Sequence, residues 1–249
     1  MVVEDKPQII VVLDKAALAA RAAEVIIEAG QEATASRGRY MLALSGGATP
    51  VPVFQELASR RLRNELDWSR VHTFWTDERC VSPDHHDSNY GLAREMLLQH
   101  VPVRHIYRLA GEAANPSEAA RDYQRIILEA FGLSGGELPR FDLMLLGIGT
   151  DGHVASLFPG SDAVKERKAL VVTPFVPHLS CHRISLTLPV LNHTRCCLFI
   201  ASGERKRPIL RRVLRATAGD ETLPASLVRP QDGKVIWVVD QAVYGSVEK

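Results

Sequence analysis

Several short apolar runs in this chain have no polar residue at alternate positions, and this constrains the fold more than any other feature. MLAL at 41–44, LMLLGI at 143–148, CCLFIA at 196–201 and VIWVV at 235–239 offer no face to water. Strands of that kind are covered on both sides, as in a parallel sheet. Strands are expected over 8–13, 40–45, 70–76, 104–109, 141–148, 169–175, 182–188, 195–201 and 234–239. Amphipathic stretches between them predict helices over 15–36, 51–63, 88–99, 116–131 and 204–217. Strand–helix alternation builds βαβ units and an α/β, doubly wound, mostly parallel sheet with helices on both faces. HRISLTLPVLN followed by RCCLFIAS is also compatible with a small antiparallel element.

A chain of 249 residues suffices for one large α/β unit or two small ones. No repeat or low-complexity tract divides it, and the loop SGGELPR at 134–140 runs straight into a strong strand. A single domain over 1–249 is expected.

Thirty basic residues stand against 29 acidic ones, a net charge of +1. That balance supports neither a nucleic-acid nor a membrane-surface partner, although a local basic cluster can still hold a small anion. The opening MVVEDKPQ is acidic where a signal peptide is basic, and no apolar run reaches the roughly 18 residues of a membrane span. Cys80, Cys181, Cys196 and Cys197 form no CxxC pair, which fits reduced thiols in a cytoplasmic protein. His85 and His86 lack a matching metal-ligand spacing and read as a solvated loop, so no metal is expected.

In open α/β sheets, ligands bind beyond the carboxyl ends of the strands. Four such positions stand out. In LALSGGATP, Gly46 and Gly47 allow a sharp turn, Thr49 and Pro50 suit the start of a helix, and Ser45 and Thr49 add hydroxyls. Successive amides at a helix N-terminus make an anion site. Neither a Walker A lysine nor GxGxxG is present, so no nucleotide cofactor is implied. In FWTDERCVSPDHHDSNYG, Asp77, Glu78 and Arg79 follow a buried strand directly, where charges must be solvated or paired. Arg79 suits an anion clamp or a polarised carbonyl, and a surface salt-bridge cluster is the alternative. In GIGTDGHVASLFPG, Asp151 can orient His153 as a general base. Ser156 lacks the G-x-S-x-G surroundings of a nucleophile elbow. In ASGERKRPIL, Lys206 sits in the first turn of a helix, where a cation is unfavourable without an anionic partner. Arg183 is a further phosphate candidate, with a surface or core-edge ion pair as the equal alternative.

SGGATP, TDER with DSNYG, GIGTDGHVASLFPG and SGERK, in that order, resemble the 6-phosphogluconolactonase family, with LPAS at 223–226 and WVVD at 237–240 extending the likeness along nearly the whole chain. Glucosamine-6-phosphate deaminases and, more distantly, ribose-5-phosphate isomerases belong to the same superfamily. The resemblance implies a Rossmann-like open sheet and no cofactor. It also implies hydrolysis of 6-phospho-D-glucono-1,5-lactone to 6-phospho-D-gluconate, the second step of the oxidative pentose phosphate pathway. The substrate is then a small sugar-phosphate lactone, and the protein a monomer or a weakly associating homodimer. On this basis His153, Asp151 and Arg79 are the catalytic candidates. Ser45, Gly46, Gly47, Thr49, Asp77, Asn89, Arg183 and Lys206 are the candidates for binding substrate and phosphate. Ser82 and His86 depart from the prolines many family members have there. Two alternatives stand beside this. One is a deaminase or isomerase, against which count VASLFPG in place of an Asn-Glu-Pro pattern and Arg79 in place of tyrosine. The other is a non-catalytic sugar-phosphate regulator, against which counts the retention of Asp151 and His153.

Overall fold

The computed structural model describes residues 6–177, 180–216 and 222–245. Seven strands form one sheet: β1 (Gln8–Val12), β2 (Tyr40–Leu44), β3 (Val71–Trp75), β5 (His105–Ile106), β6 (Leu143–Leu146), β10 (Cys196–Ala201) and β11 (Lys234–Asp240). Their order is β1-β11-β10-β6-β2-β3-β5, and every pairing is parallel. Every residue of β2, β6 and β10 is buried, as their unbroken apolar composition requires. Burying one such Leu, Ile or Phe side chain contributes roughly 1.5–3 kcal/mol. The edge strand β1 is only partly covered and leaves Val11 exposed.

The principal helices are α1 (Lys15–Arg37), α2 (Pro50–Leu57), α3 (Asn89–Met96), α4 (Pro116–Phe131) and α6 (Arg207–Arg215). Local signals account for several of their ends. Asp14 caps α1 by accepting from the Ala17 amide at 2.9 Å, and Gly38 closes it with φ 73°. Asn115 caps α4, whose first residue is Pro116. Helix α2 stops at Leu57, six residues before the expected end at 63. A 3-10 turn over Glu204–Lys206 precedes α6, and residue 217 of that expected helix lies outside the described residues.

The antiparallel element exists, and its partners differ from the adjacent segments considered above. Strand β9 (Cys181–Leu186) pairs with β4 (Asp77–Arg79), β7 (Val171–Val172) and β8 (Phe175–Val176), while β10 joins the large sheet. Asp77, Glu78 and Arg79 are therefore strand residues, not a loop. Thr76 is the junction: its amide donates to the Leu44 carbonyl and its carbonyl accepts from the Leu186 amide, both at 2.8 Å. The expected strand 169–175 is split in two around Pro174. Two short helices complete the chain, α5 (Leu188–Leu191) and α7 (Gln241–Tyr244).

At the opposite end of the sheet, His72 on β3 stacks on His105, with ring centroids 4.2 Å apart. Burial, with lesser repulsion from His105 and Arg39, lowers the His72 pKa from 6.5 to about 4. The folded state thus holds His72 neutral while the unfolded chain takes up a proton below about 6.5. That difference removes stability as pH falls from about 6.5 to about 4. Thermal melts across this range should show the wild type losing Tm relative to His72→Gln as pH drops. A constant difference would remove His72 from the acid sensitivity.

Candidate active site

Four neighbouring strands of the large sheet, β10, β6, β2 and β3, run in the same direction, so their carboxyl ends open on one region. Each of the four sequence motifs follows one of these ends. Between them lies a cavity of about 350 Å³. Ser45, Gly46, Gly47 and Thr49 line it from beyond β2, Asp77 and Arg79 from β4, and Asn89 from the start of α3. His153 enters from beyond β6, Arg183 from β9 and Lys206 from beyond β10. Asp151 lies behind His153 and borders an adjoining, more open groove that shares Phe158 with the cavity.

The 147–158 turn is built to hold an imidazole. His153 Nδ1 lies 2.6 Å from Asp151 Oδ1, and the same oxygen accepts the His153 amide at 3.2 Å. A Cβ on Gly149 would overlap both the His153 ring and the Asp151 carboxylate, so glycine is required there by space. Gly152 (φ 92°) and Ala155 (φ 49°) lie in the left-handed region, which turns the chain back sharply. For alanine that conformation is strained, a feature that clusters at functional sites. The ring packs against Phe158, centroids 4.5 Å apart. Burial works to raise the Asp151 pKa, but hydrogen bonding and charge from His153 outweigh it and hold the carboxyl below its ordinary value. With Nδ1 committed to Asp151, Nε2 is the nitrogen left to exchange a proton.

Strand alternation sorts the three charges of β4. Asp77 and Arg79 share the cavity face, and Glu78 turns away from it. Arg79 stands directly opposite Arg183 in the β4–β9 register. Like charges at such a pair repel, and among the described residues no carboxylate comes within 4.0 Å of Arg79, Arg183 or Lys206. Burial pushes the Lys206 ammonium below its ordinary pKa. Three cations face one cavity with no carboxylate within ion-pair distance of them, an arrangement suited to an anionic ligand. The surface salt-bridge cluster weighed for Asp77-Glu78-Arg79 is not what the strand forms. Asp77, only 7% exposed, accepts from Ser156 Oγ at 2.7 Å. The Arg79 guanidinium donates to the Asp87 carbonyl.

Two buried polar atoms on the cavity wall, Ser45 Oγ and Asn89 Oδ1, have no partner among the described residues. Asn89 is 1% exposed, and its amide nitrogen donates to the Asp77 carbonyl at 2.8 Å. Its Oδ1 lies so close to Gly46 that a side chain there would collide with it. Thr49 occupies the N-cap position of α2 but makes no side-chain cap, which leaves its hydroxyl uncommitted. Uncompensated buried polar groups are costly, and a ligand's hydroxyls or phosphate oxygens supply what they lack.

The structural roles of several residues that shape the site were not legible in the sequence. The Ser156 hydroxyl donates to Asp77, and its amide donates to Ser185 Oγ at 3.1 Å. It ties the His153 turn to the antiparallel sheet. Glu78 and Phe158 were equally silent, since a buried carboxylate and a ring contact leave no motif. His85, His86 and Asp87 sit together on the exposed loop before α3, their donor atoms within 4.8 Å of one another.

The fold and these side chains define a protein of the sugar-phosphate isomerase and lactonase class. The model of the family described as glucosamine-6-phosphate isomerases/6-phosphogluconolactonase matches residues 13–237, and the chain belongs to this family. A 6-phosphogluconolactonase of Nostoc sp. (strain PCC 7120) is 36% identical over 239 residues, covering 95% of this chain and 97% of that protein. The Rattus norvegicus 6-phosphogluconolactonase is 39% identical over 211 residues, 83% of this chain and 80% of that one. The solved 6-phosphogluconolactonase of Trypanosoma brucei superposes with a TM-score of 0.85 at 28% identity, covering 96% of this chain and 97% of that one.

Gly149→Ala should separate His153 from Asp151 and lower kcat about 100-fold, the usual penalty for displacing a reacting group by about 1 Å. Kinetics with a crystal structure of the variant checks this. A wild-type rate with the pair intact would show that the glycine is dispensable.

Proposed function

We propose that this protein hydrolyses 6-phospho-D-glucono-1,5-lactone to 6-phospho-D-gluconate, the second step of the oxidative pentose phosphate pathway. It is a carboxylic ester hydrolase. The observation that carries the proposal is one cavity with an Asp-oriented imidazole and three cations that have no acidic partner within 4.0 Å among the described residues. A lactone is a cyclic ester, so its hydrolysis needs an activated water and a stabilised tetrahedral oxyanion. Nothing in that chemistry requires a cofactor or a covalent nucleophile.

In the proposed mechanism His153 Nε2 takes a proton from water as its oxygen attacks the C1 carbonyl carbon. Asp151 keeps the imidazole in the right tautomer and stabilises its protonated form. Arg79 stands beside the oxyanion, where a preorganised charge contributes most. The intermediate collapses with cleavage of the bond between C1 and the ring oxygen, and His153 returns its proton to that oxygen. At the other end, the Ser45-Gly46-Gly47-Thr49 turn, Lys206 and Arg183 hold the phosphate. Asp77 and Asn89 hold the sugar between the two ends. Gripping the phosphate fixes the distant carbonyl, so remote binding energy is used at the reacting centre.

We further propose a single domain that acts as a monomer or a weakly associating homodimer. No helix among the described residues is long and apolar enough to cross a membrane, and we place the protein's work in the cytoplasm.

His153→Ala should lower kcat by about 100-fold or more while the protein stays folded. Lactone hydrolysis followed by acid release, with the spontaneous reaction subtracted, measures this, and a near-normal rate would remove His153 as the base. Lys206→Ala should chiefly raise KM, by roughly 10- to 100-fold for a lost charge-assisted contact. An unchanged KM would take Lys206 out of the phosphate site. Ammonia release from glucosamine 6-phosphate in a parallel assay, with no acid release from the lactone, would favour the deaminase reading instead.

A further inference from the structure

Glu78 is a carboxylate 2% exposed, on the face of β4 away from the cavity. No cation lies within 4.0 Å of it among the described residues. Four donors converge on it instead. Oε1 accepts the amides of Arg79 and Asn89, both at 2.7 Å. Oε2 accepts the Tyr90 amide at 2.8 Å and the Ser88 hydroxyl at 3.1 Å. An ionised carboxylate has about four acceptor positions, so it is saturated. Two of the residues it holds, Arg79 and Asn89, line the cavity.

The connections close into a ring. The Arg79 guanidinium donates to the carbonyl of Asp87, and the Asn89 side chain donates to the carbonyl of Asp77. Strand β4 and the start of α3 are thus joined through side chains and backbone in both directions, with Glu78 behind them. Gly111 passes so close to this strand that a Cβ there would overlap the Arg79 carbonyl.

We infer that Glu78 is a positioning residue for lactone hydrolysis: its buried carboxylate locks the Arg79 strand to the Asn89 helix start, so that the guanidinium and the orphan Asn89 oxygen meet the substrate in fixed register. The inference rests on the lactonase reading above. Glutamine has the same shape but turns one oxygen into a donor. If its oxygen keeps the Arg79 and Asn89 amides, its NH2 faces the Tyr90 amide, donor against donor.

The test is a double-mutant cycle of Glu78→Gln with Arg79→Ala, read as kcat and KM for the lactone. Glu78→Gln should lower kcat/KM about 10- to 100-fold in the wild-type background, and by less than about threefold once Arg79 is gone. Equal losses in both backgrounds, or a Glu78→Gln enzyme within about twofold of wild type, would overturn the inference. If Glu78→Gln does not fold, Ser88→Ala removes one donor and leaves the carboxylate in place. The same cycle should then show a loss of about threefold that vanishes without Arg79, and a flat result overturns the inference. A wild-type protein that turns over no lactone would defeat the functional reading alone. Glu78 would then be judged by a crystal structure of Glu78→Gln, or of Ser88→Ala if that is the variant that folds, in which an undisplaced Arg79 contradicts its role.

Discussion

A parallel sheet buried on both faces has no room for polar chemistry along its strands, so that chemistry must collect where the strands end. Here the constraint is sharpened by order. Strands β10, β6, β2 and β3 are consecutive neighbours in the sheet although they are far apart in sequence. Each ends in a different polar segment, and parallel direction brings all four to the same rim. The imidazole, the glycine turn, the arginine strand and the lysine turn need no further device to find each other. The antiparallel sheet closes the remaining side by pairing β9 with β4, which sets Arg183 opposite Arg79.

Electrostatics then separates this rim from the rest of the molecule. The net charge is only +1, and several arginines elsewhere are paired, such as Arg37 with Asp142 at 2.9 Å and Arg108 with Glu112. At the rim the cations are gathered together. Arg79, Arg183 and Lys206 have no acidic partner within reach among the described residues, while Asp77 and Glu78 are satisfied by hydroxyls and amides. Carboxylates whose hydrogen bonding is satisfied by neutral N–H and O–H donors leave the cations free to act on a ligand. The same economy holds at His153, whose one nearby carboxylate is spent on orienting it.

Much of this was legible in the sequence, for physical reasons. Unbroken apolar runs mark doubly covered strands, so β2, β6, β10 and β11 were clear, and so was the gathering of the polar motifs at the strand ends. Glycine next to Ser, Thr, Asp or His marked the turns. The antiparallel sheet was less legible. Asp77-Glu78-Arg79 has no apolar signature, and nothing local shows that β9, about a hundred residues later, is its partner. Pro174 hid the split between β7 and β8. Glu78 and Ser156 act through buried hydrogen bonds, which are properties of three-dimensional neighbours and not of spacing. Thr49 shows the limit of a rule: it stands at the N-cap position, yet its hydroxyl caps nothing.

The central claim is spatial: one molecule bridges His153 at its carboxyl carbon and the cationic turn at its phosphate. A crystal structure with 6-phosphogluconate bound tests it most directly. The product's carboxylate should lie about 3 Å from His153 Nε2, the reach of a proton transfer. Its phosphate should rest on the 45–49 turn with Lys206 in contact. A phosphate bound outside this cavity, or a carboxylate pointing away from His153, would contradict the account.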